Sequence, residues 1–470
     1  MIEHTILEER QYQRRILDLL IEYKSEASHC IVELDCGLGK RVLIYLLVEK
    51  LLKKERSLIL VDSTTSFQET LSYLQEQYGG VSDLGYLSSR VPSRMRMQIL
   101  ETRRVILATP QTLANVLQKM PEKPKFDVII INEVDKVVRR TATNQVLIYP
   151  FNSLMGYFTQ FWVVGLSGTI RDSHIVYQKE RFSVRRELES LGRFLQPLRV
   201  ITMDELTGTD IDNHINKTNL IKVPIEDPNL AELLEKLDSG IDDARREIIS
   251  QTEEENPELL ENLSRQQISQ LAFNLPAEDS LVKKYRGSLL VRKYVTSMMP
   301  WRFKRFLHNP QLELDKELID SLDNKSKKVQ KVGQLVQKAK KTVVIVSYVE
   351  TAKTLYKYLE TLGITPFLIT GAIKDKQSII QAFRDSKSRS AIVMTSVGER
   401  DIDLPTADQM IMFDSINTAK TMYQRTKRTR GGTVYFLYYK ETYEERKIDR
   451  LINNILNKYP WSTVDLGKEI

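Results

Sequence analysis

The sequence predicts an α/β protein: two parallel-sheet domains with a mainly helical insertion between them. Three observations carry this. Short apolar runs alternate with amphipathic helical patterns through residues 1–206, a pattern of crossover helices on a parallel sheet. The alternation lapses over residues 207–335 and returns over residues 336–470. At 470 residues the chain exceeds one ordinary domain, and ~150 residues per domain suggests about three.

In the first segment the expected strands are His29–Leu34, Ser57–Val61, Val105–Ala108, Val128–Ile131 and Trp162–Leu166. Helical patterns such as Arg41–Lys53 and Ser66–Gln77 lie between them. Val128–Ile131 is apolar throughout, as a central strand buried on both faces should be. From Asn229 to Asp323 strand signal is scarce and helical periodicity dominates, with acidic stretches at Asp242–Asp243 and Glu253–Glu255 giving way to a basic one. Strands return at Val343–Val346, Pro366–Ile369, Ala391–Met394, Met410–Phe413 and Val434–Leu437.

The bulk properties exclude several classes. A hydrophobic fraction of 41% and a charged fraction of 28% are ordinary for a globular protein. No apolar run approaches the ~20 residues of a membrane span, and the charged N-terminus lacks a signal peptide's apolar core. Cys30 and Cys36 form neither a disulfide framework nor a metal-ligand set. These features lead to the expectation of a soluble, cytoplasmic protein with no membrane partner. The net charge of +7 fits a polyanionic partner, though many proteins are equally basic.

The segment Val32–Arg41, VELDCGLGKR, leads a strand through Gly37 and Gly39 to Lys40 and a helix. Glycines let backbone N–H groups approach phosphate oxygens, the helix start favours the anion, and lysine neutralises the outer phosphates. The plainer reading is a strand-to-helix turn with a chance lysine. A phosphate loop continues with Ser or Thr, whose hydroxyl binds Mg²⁺, but here the residue is Arg41. Downstream, Phe126–Asp135, FDVIIINEVD, is a buried strand ending in acidic residues. Where an Asp would hold Mg²⁺ there is Asn132; Glu133 stands where a base would orient or deprotonate water.

Further segments follow in a recognisable order. Arg10-Gln11-Tyr12-Gln13 is similar to an adenine-reading R-x-Y-Q element, and VILATPQTL at Val105–Leu113 resembles motif Ib. GLSGT at Gly165–Thr169 resembles motif III, TSVGERDIDLP at Thr395–Pro405 motif V, and QRTKRTRG at Gln424–Gly431 motif VI. Together they resemble superfamily 2 helicases, and within them the archaeal Hef and Fanconi-anaemia M group. That resemblance implies two RecA-like domains with a thumb-like helical insertion, binding ATP and DNA. It implies Gln13 for adenine, Gly37, Gly39 and Lys40 for phosphates, Asp403 as the motif V carboxylate, and Glu133, Arg425 and Arg428 as catalytic groups.

The departures are specific. Arg41 replaces Thr, Asn132 replaces Asp, Asp135 replaces His, Asp401 and Lys427 replace glycines, and Gly431 replaces the last arginine, with Arg430 out of register. Both protein ligands of Mg²⁺ are changed, so metal binding is in doubt. An arginine finger alone is worth ~10³–10⁵ in rate, so ATP hydrolysis is expected to be weak or absent. A further expectation is that Arg41 takes the metal's place, paired with Glu133 or Asp135. No other metal site is expected.

Leu281–Pro310 holds Lys283, Lys284, Arg286, Arg292, Lys293, Arg302, Lys304 and Arg305 and no acid. Basic side chains contact phosphates, and interleaved aromatics can stack on bases. The basic residues are read as a DNA contact. Tyr285, Tyr294, Trp301, Phe303 and Phe306 are read as the buried face of an amphipathic helix. Arg90, Arg94, Arg96, Arg103 and Arg104 either line the same track or coat a helix, and Lys325, Lys327, Lys328 and Lys331 read as a solvated helix start. Three functions remain open. The first is a Hef-like binder of branched or duplex DNA acting in repair with a separate XPF-type nuclease, which only the resemblance implies. The others are an active ATP-driven helicase or translocase and a protein-binding scaffold.

Overall fold

The structure, a computed structural model, describes residues 9–138, 151–158, 160–171, 173–178, 181–255, 280–312, 314–396, 407–414, 419–427, 432–461 and 465–466. It divides into two compact lobes, one formed mainly by residues 1–215 and the other by residues 216–470.

The first lobe is a parallel sheet with crossover helices. Its strands are β1 (His29–Glu33), β2 (Ser57–Leu60), β3 (Leu84–Leu87), β4 (Val105–Ala108), β5 (Val128–Asn132), β6 (Trp162–Ser167) and, after a two-stranded ribbon of β7 (Ser173–Gln178) and β8 (Arg181–Arg186), β9 (Leu198–Ile201). The spatial order is β3-β4-β2-β5-β6-β1-β9. The connecting helices are α1 (Gln11–Ser25), α2 (Lys40–Leu46), α3 (Thr64–Glu76), α4 (Ser93–Thr102), α5 (Pro110–Leu117), α6 (Phe151–Phe158) and α7 (Glu187–Phe194). Strand β1 is buried along its whole length, as is β2, because helices cover both faces of a parallel sheet. Helix starts follow the local chemistry: the Ser63 hydroxyl accepts from the Ser66 N–H, and Thr109 caps α5 ahead of Pro110. The register sets Glu33 beside Ser167 and Asn132 beside Leu166, so the Gly37–Lys40 loop and the acidic strand end share the carboxyl edge. In open α/β sheets ligands bind at that edge.

The second lobe repeats the plan. Its parallel sheet has the order β12-β13-β11-β14-β15-β10-β16, with β10 (Asn219–Ile225), β11 (Lys341–Val346), β12 (Thr365–Ile369), β13 (Ser390–Thr395), β14 (Gln409–Met412), β15 (Thr433–Tyr439) and β16 (Asp465–Leu466). Its helices are α8 (Pro228–Glu255), α9 (Ser280–Ser297), α10 (Pro300–Leu307), α11 (Lys316–Ser321), α12 (Lys327–Val336), α13 (Val349–Thr361), α14 (Lys376–Asp385), α15 (Ala419–Thr426) and α16 (Tyr443–Lys458). Val343 and Ile345 face one core while Val344 and Val346 face the other, the period of two expected of a strand.

Two features depart from the sequence reading. The segment expected to be mainly helical begins with a strand, β10, pairing with β15 along its length. The helices that follow are not a free-standing unit at their base. Leu233 and Leu237 of α8, Val295 of α9, and Phe303 and Leu307 of α10 share one core with Val344 and Val346. Farther out, Ile241, Ala244 and Ile248 pack against Val282 and Tyr285 in a small separate cluster, so α8 and α9 run antiparallel.

Lys328 also corrects an expectation. Far from being solvated, it is fully buried. Its Nζ donates to both Glu444 carboxylate oxygens at 3.0 and 2.9 Å and to the Thr296 and Phe413 carbonyls at 3.1 and 3.3 Å. A buried ammonium is tolerable only when so fully partnered.

Candidate nucleotide site and nucleic-acid surface

The candidate phosphate loop is built by two left-handed glycines, Gly37 (φ 88°) and Gly39 (φ 76°), a conformation that no β-carbon-bearing residue adopts cheaply. Helix α2 begins directly after them at Lys40. Helix α1 braces the loop. The Tyr12 hydroxyl, wholly buried, donates to the Leu38 carbonyl at 2.8 Å. The Tyr12 N–H donates to Asp210 at 3.0 Å. Gln13 is buried and its Oε1 accepts from the Arg10 N–H at 3.2 Å. Its Nε2 lies 3.2 Å from where a β-carbon on Gly39 would sit, which sets the residue proposed to read adenine against the loop. Tyr12→Phe is expected to cost ~1–2 kcal/mol in urea unfolding, because the buried Leu38 carbonyl loses its donor.

Lys40 points across the sheet edge to Glu133, Nζ to Oε1 at 2.7 Å. Burial works against its charge, but Glu133, together with Cys36 and Asp135, more than offsets this and holds the ammonium above its ordinary value. Glu133 sits in the left-handed region at φ 58°, an uncommon conformation for a non-glycine residue and one concentrated at functional sites. The next acid, Asp135, is buried and accepts from the Ser167 hydroxyl at 2.8 Å; the same hydroxyl oxygen accepts from the Thr169 N–H at 3.1 Å. The acidic segment is thereby tied to GLSGT. At the loop's base the buried Glu33 carboxylate is gripped by Arg171, Nε and Nη2 at 2.7 and 2.6 Å.

Arg41 differs from expectation. Glu133 is taken by Lys40, and Arg41 forms its ion pair with Glu69 of α3. Sequence spacing could not reveal this, since Glu69 lies on a separate crossover helix. A divalent cation does not fit the donor set. Arg41, a cation, stands where a hydroxyl would ligate, and Asn132 offers only a neutral amide where a carboxylate would balance the metal's charge. Among the described residues no group of three or more His, Cys, Asp or Glu is arranged to hold a metal ion.

In the second lobe Arg425 is buried in α15. Lys427 is absorbed into packing: its Nζ donates to the Asn216 carbonyl at 2.9 Å and lies over the Tyr423 ring. Asp401, Asp403, Arg428, Arg430 and Gly431 lie outside the described residues.

The basic segment sorts into two groups. Arg292 is paired with Asp238 and sits 3.9 Å from the Tyr443 ring centroid, and Lys304 donates to the Leu322 carbonyl at 2.7 Å. Both help hold the helices together. Lys283, Lys284, Lys293, Arg302 and Arg305 are exposed and Arg286 is half-buried. Lys283, Arg286, Leu290 and Lys293 recur at i, i+3, i+7 and i+10, which places them on one face of α9. Tyr294 and Phe306, with ring centroids 4.7 Å apart, join that face to α10. The aromatics also divide. Tyr285 and Phe303 are buried as expected, whereas Trp301 and Phe306 remain 47% and 38% exposed beside Arg302 and Arg305. In the other arginine cluster, Arg103 binds Asp83 at 2.8 Å and Arg104 binds Glu49 at 2.6 Å, while Arg90 and Arg94 are exposed.

Comparison with known proteins bears directly on this arrangement. The family described as "Type III restriction enzyme, res subunit" matches residues 6–172, and "Helicase conserved C-terminal domain" matches residues 327–432. The first match spans β1 to β6 of the first sheet, and the second spans β11 to β14 of the second. The helicase domain of Pyrococcus furiosus Hef superposes with a TM-score of 0.60 over 94% of this chain and 97% of its own, at 16% identity, which establishes the RecA-like fold twice over. The chain belongs to helicase superfamily 2. Two related sequences extend the likeness. A Methanocaldococcus jannaschii protein named "Putative ATP-dependent RNA helicase" is 23% identical over 97% of this chain, which spans 63% of that protein's length. The ATP-dependent DNA helicase mph1 of Neosartorya fischeri is 25% identical over 33% of this chain and 16% of its own. No helix among the described residues is long and apolar enough to cross a membrane.

In this superfamily 2 protein the Gly37–Lys40 loop and the acidic strand end are joined at one edge through Lys40 and Glu133. Sequence reasoning missed Glu69, the Ser167 link and the Tyr12 brace. Ser167 and Tyr12 lay inside segments already singled out, GLSGT and R-x-Y-Q, so their motif membership was the available signal. Glu69 had none.

Proposed function

We propose that the chain is a Hef-like, helicase-fold binder of branched or forked DNA in repair or recombination, with ATP hydrolysis weak or absent, working with a separate XPF-type nuclease. The observation that carries it is the exposed strip of Lys283, Lys293, Arg302 and Arg305 with Trp301 and Phe306 beside it. Cations beside exposed aromatic faces suit a polyanion with accessible bases. The choice of DNA follows the Hef likeness; the nuclease follows only from the family's domain pairing. Loss of hydrolysis is supported by the donor set around Arg41 and Asn132.

A second reading, an active ATP-dependent helicase, is favoured by Lys40, Glu133 and Gln13 remaining together at one edge. An ATPase assay with forked DNA separates the two. Under the first reading turnover stays at background, is not stimulated by DNA and does not change in Lys40→Ala. DNA-stimulated turnover abolished by Lys40→Ala establishes the second. Absence of salt-dependent binding to fork DNA would favour a protein-binding scaffold instead.

A further inference from the structure

We infer that the loop at Gly37–Lys40 binds a nucleoside triphosphate as the metal-free polyanion, and that Mg²⁺ weakens rather than supports the binding. This deepens the reading of a degenerate ATP site and rests on it.

The phosphate-holding parts are intact. Gly37 and Gly39 keep their left-handed conformations, Lys40 opens the helix, and Tyr12 fixes the loop from behind. The metal-holding parts are not. Asn132 carries no charge where a carboxylate would hold the metal. Its amide also offers N–H donors, which a carboxylate lacks and which suit a phosphate oxygen.

The charge balance gives the sign of the Mg²⁺ effect. Set against the Thr, Asp and His of the related helicases, Arg41 adds one positive charge, Asn132 removes one negative charge and Asp135 adds one negative charge back. The net gain is one positive charge, carried by Arg41 at the start of α2, which is half of what a divalent cation would bring. Arg41 follows directly on the loop and pairs with Glu69 of α3, with its side chain 40% exposed, so a change of rotamer can exchange that carboxylate for a phosphate oxygen. A guanidinium matches phosphate bidentately. A nucleotide arriving with Mg²⁺ would instead bring the metal against the Arg41 guanidinium, with no carboxylate at 132 to receive it.

Glu133 acts as an internal competitor. It occupies Lys40 at 2.7 Å, so a phosphate must displace it. Glu133→Gln removes the competing charge without removing the side chain.

The test is equilibrium titration of the full chain with ATP at constant ionic strength, in EDTA and in excess Mg²⁺. Binding is expected to be on the order of tenfold tighter in EDTA, and Glu133→Gln to tighten it by a similar factor, the scale of one charged hydrogen bond. The double variant Arg41→Thr/Asn132→Asp is expected to invert the dependence, binding ATP only with Mg²⁺. Thermal unfolding of each variant shows that it is folded. Binding by the wild-type chain that requires Mg²⁺ overturns the inference. So does absence of binding in EDTA by both wild type and Glu133→Gln. Fork-DNA binding by the same preparations without nucleotide reports on the proposed function separately, so the two fail independently.

Discussion

Lys328→Met is expected to destabilise the second lobe by ~3–5 kcal/mol, because it strands the wholly buried Glu444 carboxylate. For a lobe of this size that corresponds to a fall in unfolding temperature of roughly 6–20 °C. Four elements meet at this ammonium: α12 carries it, α9 contributes the Thr296 carbonyl, Phe413 follows β14, and Glu444 opens α16. The base of the helical segment should therefore loosen with the sheet. Adding Glu444→Gln should restore much of the loss. A glutamine is neutral and can still accept the Tyr439 N–H, which Glu444 accepts at 3.1 Å. Calorimetry of the single and double variants provides the comparison. A single variant within about 1 kcal/mol of the wild type would contradict the account of the pair.

Neutralising Lys283, Lys293, Arg302 and Arg305 together, each to Gln, should weaken fork-DNA binding by about two to three orders of magnitude near 0.1 M salt. The slope of log K against log salt should become shallower by ~3–4, since each lost phosphate contact removes ~0.9. Arg292 and Lys304 are left out because Asp238 and the Leu322 carbonyl engage them. Replacing those two would confuse unfolding with lost contact. Trp301→Ala in addition should lower affinity for single-stranded arms more than for duplex, as base stacking requires unpaired bases. An unchanged salt slope in the fourfold variant would remove this strip as the DNA surface.

Much of the architecture was legible from periodicity. All ten strands expected from apolar runs are present, from His29–Glu33 to Thr433–Tyr439; nine are buried almost throughout and leave a continuous apolar signature, and the partly buried edge strand Thr365–Ile369 still carries an apolar run at Phe367–Ile369. Three of the strands not foreseen blur it. Leu84–Leu87 and Leu198–Ile201 are edge strands that are only partly buried, and Asn219–Ile225 mixes Lys222 and Pro224 into its run. In the candidate site, the Gly37, Gly39 and Lys40 loop was readable because each residue's role is local. The partners were not. Lys328 looks like a solvated helix start until Glu444, far along the chain, is folded onto it, and Arg41 meets Glu69 only through tertiary packing. The exposed basic residues of α9 and α10 were found by composition. Composition could not separate Arg292 and Lys304, which hold the fold, from Lys283 and Arg302, which face outward.

The position of β10 has a consequence for how the protein is made. All seven strands of the first sheet are synthesised by Ile201, so that lobe has everything it needs early. Strand β10 emerges next, but its partner residues run from Thr433 to Tyr439, near the far end of the chain. While the helices and the rest of the second sheet are being translated, β10 is a nascent strand with both edges open. Such edges invite pairing with other chains, and closing so distant a contact is slow. The second lobe thus depends on its last strands to complete it, and this is the stage of biogenesis at which a chaperone would matter most.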